Sequence, residues 1–181
     1  FVDAPLAYKA FLGRQYGNDG LQLKWIAPTD TFLEFGAEAG RGSNFPGSER
    51  NKNGVGSYAL FAHLGDDIGT DHSWRAGISY LHNTAKERTY DDLDTAGNMV
   101  SNALDGKSRL WLADFVWKWA PNGNPAQRNF KLQGEYFRRQ ENGDLTFDTA
   151  NLASIDRYSA TQSGWYLQGV YQFMPHWRVG L

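Results

Sequence analysis

The sequence of 181 residues contains no cysteine, four histidines and six prolines. The absence of cysteine excludes disulfide scaffolds, cysteine-based metal sites and cysteine nucleophiles. No apolar run approaches the roughly 20 residues that a membrane-spanning helix needs, so a helical span is excluded. A β-barrel passes this test, because only every second residue of its strands faces lipid. The net charge of −2 and the pI near 6.1 argue against a nucleic-acid-binding protein.

Alternation of apolar and polar residues is the dominant pattern, and helical periodicity is weak. The alternating segments are 21–25, 33–39, 58–64, 74–80, 111–119, 130–136, 165–173 and 177–181. They predict an all-β fold, an antiparallel up-and-down transmembrane β-barrel with about eight strands, the last of them incomplete. The segment Leu6–Leu12 fits another strand, a short helix or a loop.

Short and long connections alternate along the predicted strands. Short turns at 27–30, 65–72, 121–125 and 174–175 separate long polar segments at 41–53, 82–107 and 140–161. Outer-membrane barrels have short periplasmic turns and long extracellular loops. The residues 145–149 are also compatible with a strand that extends into the third long segment.

The chain is predicted to be a single outer-membrane domain over residues 1–181, because no linker or second composition is visible. The alternation stops within a strand at Leu181. The opening residues Phe1–Pro5 have neither the basic segment nor the apolar core of a signal peptide. We therefore expect a mature or truncated piece of a larger barrel, incomplete at both ends.

Aromatic residues make up 15% of the sequence, and every tryptophan lies on the apolar phase of its strand near one end. The seven are Trp25, Trp74, Trp117, Trp119 and Trp177 beside short turns, and Trp111 and Trp165 beside long segments. Tyr58, Tyr80 and Tyr136 also lie at the second end. Indole and phenol rings favour a membrane–water interface, which predicts contact with outer-membrane lipid. The alternative, a soluble antiparallel sandwich, would bury tryptophan near strand centres.

The opposite phase carries charges of both signs, which suit a water-filled or plugged lumen. The predicted lumen residues are Lys24, Glu34, Glu38, Arg75, Asp114, Lys118, Lys131, Glu135, Arg139 and Arg178. They either select solutes by size and charge or only solvate the wall and pair with each other. Because Phe61, Leu112 and Tyr166 share this phase, we expect a plug or an inward-folded loop to pack there.

Sites for other chemistry are weakly indicated. The cluster of Asp66, Asp67, Asp71 and His72 fits a metal site or a solvated turn, and its spacing matches no metal template. The acidic segment Tyr90–Asp94 attracts cations at an external mouth or is simply a hydrated loop. Ser57 and His63 share a phase, but six residues along a strand span about 20 Å. We therefore predict no enzyme, no cofactor and no metal.

Four stretches resemble a proteobacterial outer-membrane family whose members are described as porin-like or as zinc-regulated, TonB-dependent receptors. The stretches are Trp25–Glu34, Phe115–Gly123, Leu132–Phe137 and Ser163–Gln172. The resemblance covers most of the chain, from about Leu6 to Leu181. It implies a barrel in the bacterial outer membrane that takes up a small solute or a metal ion.

The resemblance leaves the mode of transport open. The plug domain and the energy-coupling box that a TonB-dependent receptor carries are not found in this sequence. A porin-like channel that passes small solutes or ions through a charged lumen is the first expectation. A receptor that takes up a metal or metal chelate with the TonB system is the second. A structural or adhesive barrel is the third.

Overall fold

A computed structural model of the chain describes residues 5–13 and 16–181; the first four residues of the segment searched for a signal peptide lie outside them. One helix and eight strands follow in chain order. They are α1 (Leu6–Leu12), β1 (Gly20–Ile26), β2 (Phe32–Gly40), β3 (Ser57–Ile68), β4 (His72–Leu93), β5 (Met99–Trp119), β6 (Asn129–Phe147), β7 (Ser154–Met174) and β8 (Trp177–Gly180). A single 3₁₀ turn, Pro121–Gly123, lies between β5 and β6.

The strands form one sheet in which each pairs with the next along the chain. All seven pairings are antiparallel, which confirms the all-β, up-and-down fold. In the part of the chain that the structure describes, β1 and β8 do not pair with each other, so the sheet is open. Closure into a barrel and insertion into a membrane therefore stay predictions.

The registers place the two phases of the alternation on opposite faces of the sheet. A single row of paired residues runs from Trp25 through Phe35, Ala62, Ile78, Ala113 and Tyr136 to Trp165. Residues that pair directly across neighbouring strands point to the same face. Along each strand, every second residue returns to that face. All seven tryptophans share this face, which we call the apolar face. The opposite face is called the polar face.

Two of the long connections predicted from the sequence are wrong. Segment 82–107 is mostly strand, since β4 continues to Leu93 and β5 begins at Met99. Segment 140–161 is likewise filled by β6 and β7, with a turn over 148–153. Both segments pair along their length, with a register shift between Ala85 and Arg88. The connection between β2 and β3 is the long loop that the sequence indicates, and it covers residues 41–56.

The segment Leu6–Leu12, for which the sequence allows a strand, a short helix or a loop, forms the short helix α1. It begins after Pro5, whose fixed φ suits the entry into a helix, and ends at Gly13 with a φ of 65°. Phe11 and Leu12 are buried against the polar face. Within the described residues, no helix has the length and apolar character required to cross a membrane.

Candidate functional site on the polar face

The ten residues predicted to line a lumen all occupy register positions on the polar face. Lys24 pairs with Gly36, which lies between Glu34 and Glu38 on β2. Asp114 pairs with Gly77 on one side and with Glu135 on the other. Lys118 pairs with Lys131. The ten residues therefore lie on one face of the sheet, and the role of that face as the wall of a lumen stays a prediction.

Two of these side chains, Lys24 and Glu34, begin a chain of ionic contacts that His63 extends across the first three strands. Lys24 Nζ lies 2.9 Å from Glu34 Oε2, and His63 Nδ1 lies 3.0 Å from Glu34 Oε1. Glu34 is buried, so its carboxylate loses hydration that these two partners replace. The contacts join β1, β2 and β3 through side chains as well as through the backbone.

The same chain continues onto β4 and β5 through Asp114. His63 Nε2 lies 3.7 Å from Asp114 Oδ2, and Arg75 Nη2 lies 3.4 Å from Asp114 Oδ1. His63 thus lies between two carboxylates, Glu34 on β2 and Asp114 on β5. The resulting network crosses five strands. In it Lys24 is paired with Glu34, and Arg75 is paired with Asp114.

Two glycines provide space on the polar face, one for this network and one for the ring of Phe61. A Cβ on Gly77 would lie 3.0 Å from Cγ of Asp114 and closer still to the ring of His63. A Cβ on Gly36 would collide with the ring of Phe61. Glycine at these two positions allows the side chains of neighbouring strands to cross over the backbone.

Three basic side chains at the short-turn end of the polar face differ from this pattern. Lys118, Lys131 and Arg178 line one cavity of about 1140 Å³. Among the described residues, none of the three forms an ion pair with a carboxylate. Arg178 Nε instead donates a hydrogen bond to Gln172 Oε1 at 2.9 Å.

Aromatic packing holds α1 on the polar face. Phe11 and Phe137 stack with ring centroids 5.3 Å apart, and Tyr8 meets Phe137 edge-on at 5.7 Å. Leu112 and Tyr166 pack against the same cluster. The prediction that a segment folds onto this face is confirmed, whereas its action as a plug stays a prediction.

The loop 41–56 covers the polar face beyond α1. The guanidinium of Arg139 lies 5.5 Å from the ring centroid of Phe11 and 4.9 Å from that of Phe45. Arg88 donates to Pro46 O at 2.8 Å and forms two hydrogen bonds with Glu141 at 2.8 and 3.1 Å. We call α1 and the loop 41–56 together the cover.

The carboxylate of Glu141 is buried beneath the cover with two arginines beside it. Burial by itself raises the pKa of Glu141, but hydrogen bonds from Arg88 and the charges of Arg88 and Arg139 outweigh burial. The net result is a pKa below the ordinary value of 4.5. The pair is therefore charged at neutral pH, and the bidentate geometry ties β4 to β6.

Sequence reasoning missed three residues that organise this face. His63 is considered in the sequence only beside Ser57, although it joins Glu34 to Asp114. Arg88 and Glu141 fall in the two segments interpreted as loops, although both belong to paired strands. The phase of Phe137, Arg139 and Glu141 continues that of Glu135, and this continuation is the signal that could have extended β6.

The two acidic clusters predicted in turns lie largely at strand ends, since Asp66 and Asp67 belong to β3 and residues 90–93 to β4. Their side chains have local structural roles. Asp66 accepts a hydrogen bond from Thr31 Oγ1 at 3.1 Å, and Thr70 donates to Asp71 at 2.8 Å. Asp94 accepts the amides of Ala96 and Asn98 at 2.8 Å each. Hydrogen bonds from the backbone and side chain of Asn98 lower the pKa of Asp94. Over residues 5–13 and 16–181, no three His, Asp or Glu side chains are grouped to hold a metal ion.

Comparison with known proteins yields one distant similarity. A protein of Aquifex aeolicus, described as an uncharacterized protein, is 28% identical over 194 aligned residues. The alignment covers the whole of this chain and 38% of the Aquifex protein, so the chain spans about two fifths of that relative's length. No family model and no solved structure matches the chain. The resemblance to the porin-like outer-membrane family therefore stays a prediction.

Proposed function

We propose that this chain is part of an outer-membrane β-barrel that passes small solutes or ions through a charged lumen. The apolar face would contact lipid, and the polar face would line the lumen. The segments between the two groups of aromatic residues would cross the membrane. In this arrangement Glu141 lies beyond the membrane, because it follows the interface residue Tyr136 by five positions.

The observation that carries the proposal is the inverted distribution of exposure between the faces. Large apolar side chains on the apolar face are bare, with Leu23 75%, Leu60 53% and Leu167 60% exposed. Charged Glu34 and Arg139 on the polar face are buried. A water-soluble sheet has the opposite distribution, because it hides its apolar face. An exposed apolar surface that extends over several strands is typical of a membrane or protein contact.

The aromatic residues form two bands on the apolar face. Trp74 pairs with Trp117 at the short-turn end, and Tyr80 pairs with Trp111 at the other end. The two bands are six positions apart on β4, which corresponds to about 20 Å along the strand. This is close to the apolar band of roughly 25 Å in outer-membrane barrels, which aromatic girdles flank on both sides.

The strands are staggered in the manner that closure into a barrel requires. The row that starts at Trp25, one residue before the end of β1, reaches Trp165, nine residues before the end of β7. Strands of a barrel must tilt and shift in register for the sheet to close. We propose that further strands of a longer protein close the sheet between β1 and β8, since unpaired backbone is not tolerated in hydrocarbon.

The cover favours a second candidate function, a structural or adhesive barrel with a packed interior. Phe11, Leu12 and Phe137 fill part of the polar face with a small apolar core. A lumen fully blocked by such packing would pass no solute. The long hairpins β4–β5 and β6–β7 would then contact partners outside the cell.

Reconstitution of the full-length protein in planar bilayers tests the proposal. We expect stepwise ion conductance and, in liposomes, swelling in isotonic solutions of small solutes. Folding is checked by the heat-modifiable migration of the protein in gels. Folded protein that shows neither conductance nor swelling would reject transport and leave the structural barrel. Uptake in cells that depends on the TonB system would select the receptor instead of the passive channel.

A further inference from the structure

We propose that the short-turn end of the polar face binds a small oxyanion, such as the phosphate group of a solute. The site is the cavity lined by Lys118, Lys131 and Arg178. This inference deepens the proposed function, since it names the class of solute that the lumen would admit at that end. The binding itself can be measured without any assay of transport.

Two lysines face each other directly across neighbouring strands. Lys118 on β5 and Lys131 on β6 are register partners on the polar face. Like charges at directly opposed positions of a sheet repel each other and destabilise the pair. A bound anion between the two ammonium groups would convert this repulsion into two favourable contacts.

The third cation and several amides complete a set of donors suited to an oxyanion. Arg178 on β8 lines the same cavity, two strands from Lys131. Gln133 and Gln168 also line it, and they are joined by a hydrogen bond of 2.8 Å. A guanidinium, two ammonium groups and amide nitrogens are the donors that phosphate and carboxylate oxygens accept in proteins.

The cations of this site differ from the other cations on the polar face, which have carboxylate partners. Lys24 and Arg75 contact Glu34 and Asp114, and Arg88 contacts Glu141. Lys118, Lys131 and Arg178 have no such carboxylate among the residues that the structure describes. Over the described residues, the cations on the strands of the polar face are thus paired except at one end.

Two carboxylates at the rim of the cavity do not neutralise it. Asp67 near the end of β3 and Asp71 in the turn between β3 and β4 also line the cavity. Asp67 pairs with Ser73, which lies between it and Lys118 in the row. The charged groups that line the cavity therefore leave it with an excess of positive charge, three cations against two carboxylates.

Calorimetric titration of inorganic phosphate into the full-length protein tests the site. The protein is folded in octyl glucoside, a detergent without phosphate, and ionic strength is held constant with potassium chloride. We expect saturable binding by the wild type. Lys118→Gln should weaken it by about tenfold or more, as expected for the loss of one charge-assisted contact. Lys107→Gln, on the apolar phase of the same strand β5, is the matched control and should bind as the wild type does.

A second variant keeps the test decisive if neutralising a lysine disturbs folding. Lys131→Glu creates an opposed pair with Lys118, so it should fold at least as stably as the wild type and lose phosphate binding. Wild-type protein that shows no saturable phosphate binding, or variants that bind equally well, would overturn the site. Phosphate binding without conductance in bilayers would keep the site and reject transport, so the two failures are distinguishable.

Discussion

Phe11 of α1 stacks on Phe137 of β6, with the ring planes only 7° apart. Phe137 is fully buried, although it lies on the face that carries most of the charge. A Cβ on Gly164, its register partner, would lie 2.8 Å from the Phe11 ring, so this ring rests directly on the backbone of β7. Leu12 of α1 packs in the same cluster with Leu81 and Leu110, so α1 is held by a small apolar core on an otherwise charged face.

Truncation of Phe11 should release α1 and leave the sheet intact. Phe11→Ala removes a buried ring, which costs about 3 kcal/mol for the docked helix. This corresponds to roughly 100-fold faster hydrogen exchange of the amides that docking protects in α1. Mass spectrometry of the detergent-folded protein can measure it. Phe35→Ala, on the apolar face of β2, is the control and should leave exchange in α1 unchanged; equal exchange in both variants would contradict the docking.

Replacement of Gly77 should damage the ionic network. Gly77→Ala places a methyl group against Asp114 and His63, and such overpacking costs about 1–3 kcal/mol. Unfolding in urea, followed by tryptophan fluorescence, would show a lower midpoint. Gly169→Ala is the matched control, because the nearest atom to its Cβ would be Phe130 Cζ at an ordinary 3.5 Å. A loss of stability in Gly169→Ala as large as in Gly77→Ala would indicate a general effect of glycine replacement.

Neighbouring residues of β7 should respond oppositely to the same charge. Leu167 lies on the apolar face between Trp165 and Tyr171, and Gln168 lies on the polar face. Leu167→Arg should destabilise the protein in lipid vesicles by about 2–4 kcal/mol, the cost of arginine on the lipid side of a barrel. Gln168→Arg should be tolerated, and urea unfolding in vesicles compares the two. Similar losses in both variants would remove the distinction between the faces.

Protonation of Glu141 in acid should lower the stability of the fold. Its pKa is lowered in the folded state, so its carboxylate stabilises the fold fully above pH 4.5. This contribution is lost as the pH falls from 4.5 through the folded-state pKa. Glu141→Gln should be less stable than the wild type at neutral pH, and the difference should shrink in acid. Glu49→Gln, an exposed carboxylate in the loop 41–56, should keep the wild-type pH profile; a difference that does not depend on pH would contradict the assignment to Glu141.

The strands that alternate between apolar and polar residues are predictable from the sequence because one face is apolar. Their extensions, such as the outer half of β4, carry polar side chains on both faces and resemble loops. The register shift between Ala85 and Arg88 also breaks the period of two. The chemistry of the polar face follows from the same alternation, but its ion pairs do not. Whether His63 contacts Glu34, Asp114 or both depends on the register of three separate pairings.

The sequence by itself determined the all-β class, the order of the strands and the face of each side chain within the alternating segments, because these follow from local alternation and turn residues. Only the tertiary structure decided that α1 covers the polar face, that Arg88 pairs with Glu141, and that Lys118 and Lys131 oppose each other without a carboxylate. These features join residues far apart in the chain. They depend on strand register and stagger, which the sum of all pairings sets and which no single segment encodes.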